Sequence, residues 1–404
     1  MKKDPIIESI LSGNITSFEE CRAAWSSIFP LLTELSNTKQ DPEWHAEGNV
    51  AIHTSMVMHE LQTSLENDIA PEDRLTLTLA ALFHDIGKPL VTREAMINGK
   101  QRITSPRHAE KGQYYLALKL PLLGISKEVQ NRVLALVGYH HHPRKLVMRN
   151  SPRGSYSKLA RMVDFEDLYI LEKADLMGRT CADLNQQLEQ LDLFVLQAQL
   201  YELELISFEK IKQSVEAAFP TASELFVTHA AAKGQLDLEN NEIQTIEEIA
   251  PRSYQLEQNT FSLKILCGPS GSGKSTWIKE NGGNDKVVSL DQLRETIAGK
   301  RSSQKQNGRV IQAAKEQIKE ALRAKSNVIF DATNTRVDGR QWVSKLGYDY
   351  GALVEIIVNR TTTPELINRN KKRQHSIPEA VLEKQINGFE WPQLDEAHLV
   401  TVID

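Results

Sequence analysis

The stretch Ile265-Leu-Cys-Gly-Pro-Ser-Gly-Ser-Gly-Lys-Ser-Thr276 decides how this chain is read. Gly268, Gly273, Lys274 and Ser275 complete G-x-x-x-x-G-K-[ST], a loop whose backbone N–H groups wrap phosphates while the lysine reaches the β/γ oxygens and the serine a Mg2+ ion. The apolar run Phe261–Cys267 before it reads as a buried strand, and Thr276-Trp-Ile-Lys279 opens a helix whose N-terminus favours anions. The candidate NTP-binding residues are therefore Gly268, Ser270, Gly271, Ser272, Gly273, Lys274, Ser275 and Thr276. ATP or another NTP is the expected cofactor, with Mg2+ on Ser275.

Outward from this loop, strand patterns near 264–268, 286–290, 327–331, 352–358 and 399–403 alternate with helical ones, the signature of a mainly parallel sheet with crossover helices. Ligands gather at the carboxyl ends of such strands. Asp291, in Val287-Val-Ser-Leu-Asp291-Gln-Leu-Arg294, is a candidate base for an attacking hydroxyl, and Arg294 a candidate fork onto a substrate phosphate. A helix N-cap and a surface charge are the plain alternatives for these two. In Asn327-Val-Ile-Phe-Asp331-Ala-Thr-Asn334, Asp331 suits a role near Mg2+, while Thr333 and Asn334 either hold substrate or cap the turn. Arg369 and Arg373 are one helical turn apart and either close over the triphosphate or form part of a solvated basic face. Trp391 is either a base-stacking aromatic or a packing one.

The chain has 404 residues, 40% apolar and 25% charged, which allows two or three soluble globular domains. Three widely spaced cysteines give no disulfide framework, and no apolar run approaches the ~18 residues of a membrane span; a cytoplasmic location is expected. The net charge of −5 is unevenly spread: from Gln258 onward there are 22 Lys and Arg against 17 Asp and Glu, and before it 26 against 36. A basic C-terminal part suits a polyanionic ligand, and an acidic N-terminal part a cation.

The N-terminal part is helical in pattern. Two short packing helices are expected within residues 4–40. A Leu/Ala-rich buried helix follows Pro71 and ends at His84-Asp85-Ile-Gly-Lys88, and Asn98-Gly99 marks a hairpin. Helices are expected again from His108, over 129–140 and over 158–175, and helical periodicity continues over 183–218. Residues 219–258 are polar and mixed. Domain boundaries are set at 1–182, 183–258 as a helical and polar connection, and 259–404.

Eight of the eleven histidines lie between 45 and 142. His53, the His84-Asp85 pair, His108, the run His140-His141-His142 and Asp175 offer the imidazole and carboxylate donors that borderline divalent metals take. One ion, or two sharing a carboxylate, would activate water and stabilise a phosphoester in transition. Mn, Ni, Co, Fe and Zn are not distinguished by these donors.

The order of these elements over about 45–180 resembles the HD phosphohydrolase superfamily. That resemblance implies His53, His84, Asp85 and Asp175 as metal ligands, His108 with His140 or His141 as ligands of a second ion, and Lys88 as a phosphate-facing lysine. Residues 260–404, through Gly268–Thr276, Asp291-x-x-Arg294, Asp331-x-Thr-Asn334 and Arg369-x-x-x-Arg373, resemble the 5′-OH polynucleotide kinase family. Together they resemble bacterial HD-domain polynucleotide kinases. The expected fold is an all-α HD phosphohydrolase domain followed by an α/β P-loop kinase domain. The implied function is bifunctional healing of RNA or DNA ends: removal of 2′,3′-cyclic or 2′/3′-phosphate, transfer of an NTP γ-phosphate to a 5′-OH, and ends fit for a downstream ligase. A nucleoside or other small-molecule kinase fused to an HD nucleotidase, and an ATP-switched RNA-binding adaptor, are the competing readings.

Overall fold

The computed structural model describes residues 4–66, 68–203, 207–254, 256, 260–300, 306–373 and 375–403. The chain divides into two compact units, Met1–Leu205 and Ile206–Asp404, so the expected connection 183–258 is shared between them.

The first unit is helical. Its N-terminus forms three short helices, Pro5–Leu11, Phe18–Trp25 and Leu31–Glu34, one more than the periodicity indicates. Ser17 and Glu20 make a reciprocal capping box at the second, which satisfies otherwise unpaired N–H groups. The central helix is Pro71–Phe83, with Pro at its first position and an uninterrupted buried run from Leu75 to Phe83. A helix apolar on all sides must lie inside; here Val50–Ser64, Lys127–Tyr139 and Phe165–Met177 pack around it. The hairpin pairs β1 (Arg93–Ile97) with β2 (Lys100–Thr104). Its turn residues Asn98 and Gly99 have φ of 51° and 77°, the left-handed pair that a two-residue turn needs.

The single helix expected over 158–175 is two, Arg153–Met162 and Phe165–Met177. Asp164 breaks it, leaving helical geometry and capping the second helix through Glu166 N at 2.9 Å and Asp167 N at 3.0 Å. Helix Leu184–Leu200 packs on Phe165–Met177 and on His142–Met148.

The second unit holds a five-stranded parallel sheet: β3 (Ser262–Cys267), β4 (Lys286–Ser289), β5 (Val328–Asp331), β6 (Leu353–Asn359) and β7 (Leu399–Ile403), in the order β4-β5-β3-β6-β7. This is a P-loop α/β fold, and β3 sits centrally between strands that follow it in sequence. The loop after β3 therefore opens at the switch point, where such sheets bind ligands. The polar-looking stretch before the sheet is largely helical: Phe208–Ala218, Glu224–Glu239 and Ile249–Ser253 share a core of Ile211, Val215, Phe226, Leu238 and Ile249. Among the described residues, no helix is long and apolar enough to cross a membrane.

Candidate functional site

In the first unit the ends of five helices bring the histidines and carboxylates to one centre. His53 lies on Val50–Ser64, His84 and Asp85 just beyond Phe83, His108 at the start of His108–Ala117, His140 and His141 after Tyr139, and Asp175 near the end of Phe165–Met177. His53, His84, Asp85, His140 and Asp175 are almost wholly buried. His53 Nε2 stands 2.9 Å from Asp175 Oδ1 and 3.3 Å from His84 Nε2, and His84 Nε2 stands 3.3 Å from Asp85 Oδ2. The other oxygen, Asp85 Oδ1, is 3.2 Å from His108 Nε2, which is 3.1 Å from His141 Nε2. Asp85 thus lies between two histidine groups, one with His53 and His84, the other with His108, His140 and His141.

Local hydrogen bonds aim the rings. His84, His108 and His140 direct Nδ1 at the carbonyls of Ala81, Ser105 and Val137 at 2.8, 2.8 and 2.9 Å, and His53 directs Nδ1 at Gly178 O at 3.2 Å and Glu47 Oε1 at 3.1 Å. These acceptors can take the ring proton on Nδ1, which leaves Nε2 to face the centre beside the carboxylate oxygens, the arrangement a metal ion would use. His140 Nε2 is buried without a hydrogen-bond partner. Donors at roughly 2.0–2.2 Å from one ion stand roughly 3–4 Å apart, which is the spacing found here. The donor set therefore fits one or two divalent metal ions, with Asp85 shared. His142 belongs to neither donor group, and its Nδ1 is 3.2 Å from Tyr139 O.

Electrostatics favours a cation at this centre. Burial raises the Asp85 carboxyl, but Lys88 and His84 outweigh it and hold Asp85 well below the carboxylate range. Burial opposes protonation of His84, yet Asp85 and Asp175 lift it above its ordinary value. Lys88 Nζ is 2.7 Å from Asp85 Oδ2 and donates to Gln40 Oε1 at 2.6 Å, at the wall of a cleft of about 570 Å3 that also exposes His108, His141, Arg144 and Arg179. The nearby carboxylates Asp164 and Asp167 are engaged elsewhere: Asp164 caps its helix and Asp167 Oδ2 accepts from Arg132 at 2.7 Å.

Three residues were missed from the sequence. Glu47 accepts from His45 Nδ1 at 2.8 Å and from Thr180 N at 3.0 Å behind the His53 ring. Arg179 donates to Asp175 from two nitrogens. Glu172 is fully buried beside His141 and Asp175, neither oxygen hydrogen-bonded and Oε2 4.0 Å from His141 Nδ1, and burial with the Asp175 charge pushes its carboxyl up to about 8. Arg179 alone carried a signal, four residues after Asp175 in Asp175-Leu-Met-Gly-Arg179; one Glu among many does not stand out.

In the second unit a cleft of about 310 Å3 is lined by Ser270, Gly271, Gly273, Lys274, Ser275, Thr276, Asp291, Asp331, Thr333, Arg369 and Arg373. Gly268, at φ 152°, has no room for a side chain: a Cβ there would meet Ser272 Oγ at 2.5 Å and Asn359 O at 2.7 Å. Lys274 Nζ donates to Gly268 O at 2.8 Å and Pro269 O at 2.9 Å, and burial lowers the amine to about 8. Ser270 N–H, one of the phosphate-wrapping donors, is held by Gln385 Oε1 at 2.8 Å. Asp331 accepts from Ser289 Oγ at 3.1 Å, and burial raises its carboxyl. Arg294 Nη1 pairs with Asp291 Oδ1 at 2.8 Å, while its Nε is buried without a partner. Arg369 is tied to Glu365 Oε1 at 2.7 Å.

Asn334 lies outside the cleft lining. Its side chain is buried, its Nδ2 donates to Leu266 O at 2.7 Å, and its φ of 46° makes it a turn residue that ties the loop to β3. Thr333 remains at the cleft and also accepts Gly268 N through its carbonyl at 2.8 Å. Trp391 is buried against Arg360 and Phe389, a packing aromatic.

Two family models match the chain. Residues 49–175 match the one described as HD domain, and residues 263–392 the one described as AAA domain. The first match spans the histidine centre, and the second spans the phosphate loop with Asp291, Asp331, Arg369 and Arg373. The chain joins an HD region to a P-loop, kinase-like region, a pairing that supports an enzyme with both phosphoesterase and kinase-like activity.

Proposed function

We propose that this chain heals broken nucleic-acid ends. The HD unit hydrolyses 2′,3′-cyclic or 2′/3′-phosphate ends, and the P-loop unit transfers an NTP γ-phosphate to a 5′-OH. The observation that carries this reading is the Asp291–Arg294 pair beside the phosphate loop. Asp291 lines the cleft with Lys274, and Arg294, three residues on along the same helix, is held against it by Nη1 at 2.8 Å from Asp291 Oδ1. A carboxylate there accepts the proton of the attacking 5′-hydroxyl as the γ-phosphorus–oxygen bond to the nucleoside diphosphate breaks. The Arg294 guanidinium, a planar fork beside that carboxylate, suits the phosphodiester next to the hydroxyl, a group that a free nucleoside lacks.

In the HD unit, His53, His84, Asp85 and Asp175 would hold one ion and Asp85, His108, His140 and His141 a second. Bound ions supply an activated water and charge neutralisation for phosphoester hydrolysis. The chain's own contribution is orientation: the Nδ1 bonds fix the imidazoles, while Lys88, Arg144 and Arg179 draw a terminal phosphate into the cleft.

Incubation with γ-labelled ATP and a 5′-OH oligonucleotide tests the kinase half. Label should move to the oligonucleotide and be lost in Lys274→Ala. Transfer to free nucleosides with oligonucleotides inert would favour a small-molecule kinase, and no transfer at all an ATP-switched adaptor.

A further inference from the structure

The HD cleft also has a tryptophan in its lining. Trp44 lines it and leaves 41% of its surface exposed, in contrast to the buried Trp25. Its position is fixed. Trp44 N–H donates to Asp41 O at 3.1 Å, and the Arg102 guanidinium lies over the ring, 4.7 Å from its centroid. Arg102 in turn donates to Asp41 Oδ1 at 3.0 Å and pairs with Glu43, while Asp41 Oδ2 accepts Ile103 N at 3.1 Å. Asp41 is 4% exposed, so one buried carboxylate ties the β1–β2 hairpin to the turn carrying the tryptophan. Arg102 is absent from the cleft lining, whereas Trp44 is part of it, as are the apolar Pro106 and Met148.

A surface indole held rigid in this way is preorganised: it meets a flat ligand without paying rotamer entropy. The rest of the cleft dictates which flat ligand. Lys88, Arg144 and Arg179 offer donors for a phosphate beside His108 and His141, and about 570 Å3 is ample for one nucleotide. We propose that Trp44 is a stacking platform for the terminal nucleobase of the HD unit's substrate, with the terminal phosphate at the histidine end. This assigns a nucleotide-sized ligand to the cleft and rests on the phosphoesterase reading for the orientation of that ligand. Stacking tolerates every base, so the site reads the presence of a base and not its identity.

The test is binding of uridine 3′-monophosphate against ribose 5-phosphate. It is run in the Lys274→Ala background, which removes phosphate binding by the other cleft. Stacking worth about 1–3 kcal/mol per base corresponds to a loss of roughly 5- to 150-fold in affinity for the nucleotide in Trp44→Ala. Trp44→Phe should recover most of it, and ribose 5-phosphate should bind the Trp44→Ala and Trp44 proteins alike. Equal weakening of both ligands would mean that Trp44 only supports the fold, and unchanged nucleotide affinity would mean that the exposed indole serves something else; either overturns the proposal. Trp44-dependent binding without hydrolysis of a 3′-phosphate end would instead leave the platform standing and remove the phosphoesterase reading.

Discussion

His53 Nε2 and Asp175 Oδ1 stand 2.9 Å apart, both fully buried and 122 residues distant in sequence. Without an ion the His53 Nε2–H can donate to Asp175; a bound cation takes the place of that proton, while Gly178 O and Glu47 Oε1 hold the ring proton on Nδ1. Chelation should therefore lower the melting temperature of the first unit, and Mn2+, Ni2+, Co2+, Fe2+ or Zn2+ should restore it. At 100 to 1,000 times Kd the ion is worth about 3–4 kcal/mol. Calorimetry of wild type and Asp175→Ala with and without chelator checks this, and a melting temperature blind to chelation in the wild type would contradict it.

Gly87 in the His84-Asp85-Ile-Gly-Lys88 turn should not tolerate alanine. A Cβ there would sit 2.1 Å from His108 O and 2.5 Å from Gly112 N, both backbone. The helix His108–Ala117 would have to retreat, carrying His108 away from Asp85. We expect a loss of about 1–3 kcal/mol in stability together with reduced metal content, read by urea unfolding and elemental analysis.

That glycine shows what sequence alone reveals. Short contiguous signals were legible: the loop Gly268–Thr276, the His84-Asp85 pair, the Asn98-Gly99 turn, and each strand of the sheet to within about two residues. Features made by distant segments were not. Glu47, Glu172 and Arg179 gain meaning only once Phe165–Met177 packs on Val50–Ser64, and Gln385 only when its helix meets the phosphate loop. The helix Glu224–Glu239 was hidden because it buries Gln235, Asp237 and Glu239 along with its apolar residues, which blurs the amphipathic pattern.

Asp291→Asn keeps the shape of the P-loop cleft but removes the proton acceptor. Turnover should fall by about 10²–10⁴-fold with ATP affinity nearly unchanged. Lys274→Ala should instead weaken ATP binding itself, and Arg294→Ala should raise KM for the 5′-OH end. Steady-state kinetics with calorimetric ATP titration separates the three.

His229 gives the second unit an acid sensitivity of its own. Burial lowers it from 6.5 to about 4, and its Nδ1 has no partner. The folded chain keeps the ring neutral while the unfolded chain takes up a proton below pH 6.5. Stability contributed by the neutral ring is whole above that pH and is lost as pH falls toward 4. His229→Gln should flatten the profile of the second unit by roughly 1–3 kcal/mol between pH 7 and 4. Parallel profiles for the two proteins would contradict this.

The most direct test of two independent active sites on one chain uses a single oligonucleotide with a 5′-OH and a 3′-phosphate, incubated with ATP and divalent metal and analysed by tandem mass spectrometry. The wild type should return a product of unchanged total mass whose fragments show a 3′-hydroxyl, its phosphate released as inorganic phosphate, and a 5′-phosphate supplied by ATP. Asp85→Asn should yield a product heavier by one phosphoryl group, and Lys274→Ala one lighter by the same amount. A wild-type product that still carries its 3′-phosphate and 5′-hydroxyl, or a single substitution that abolishes both changes, would contradict the account.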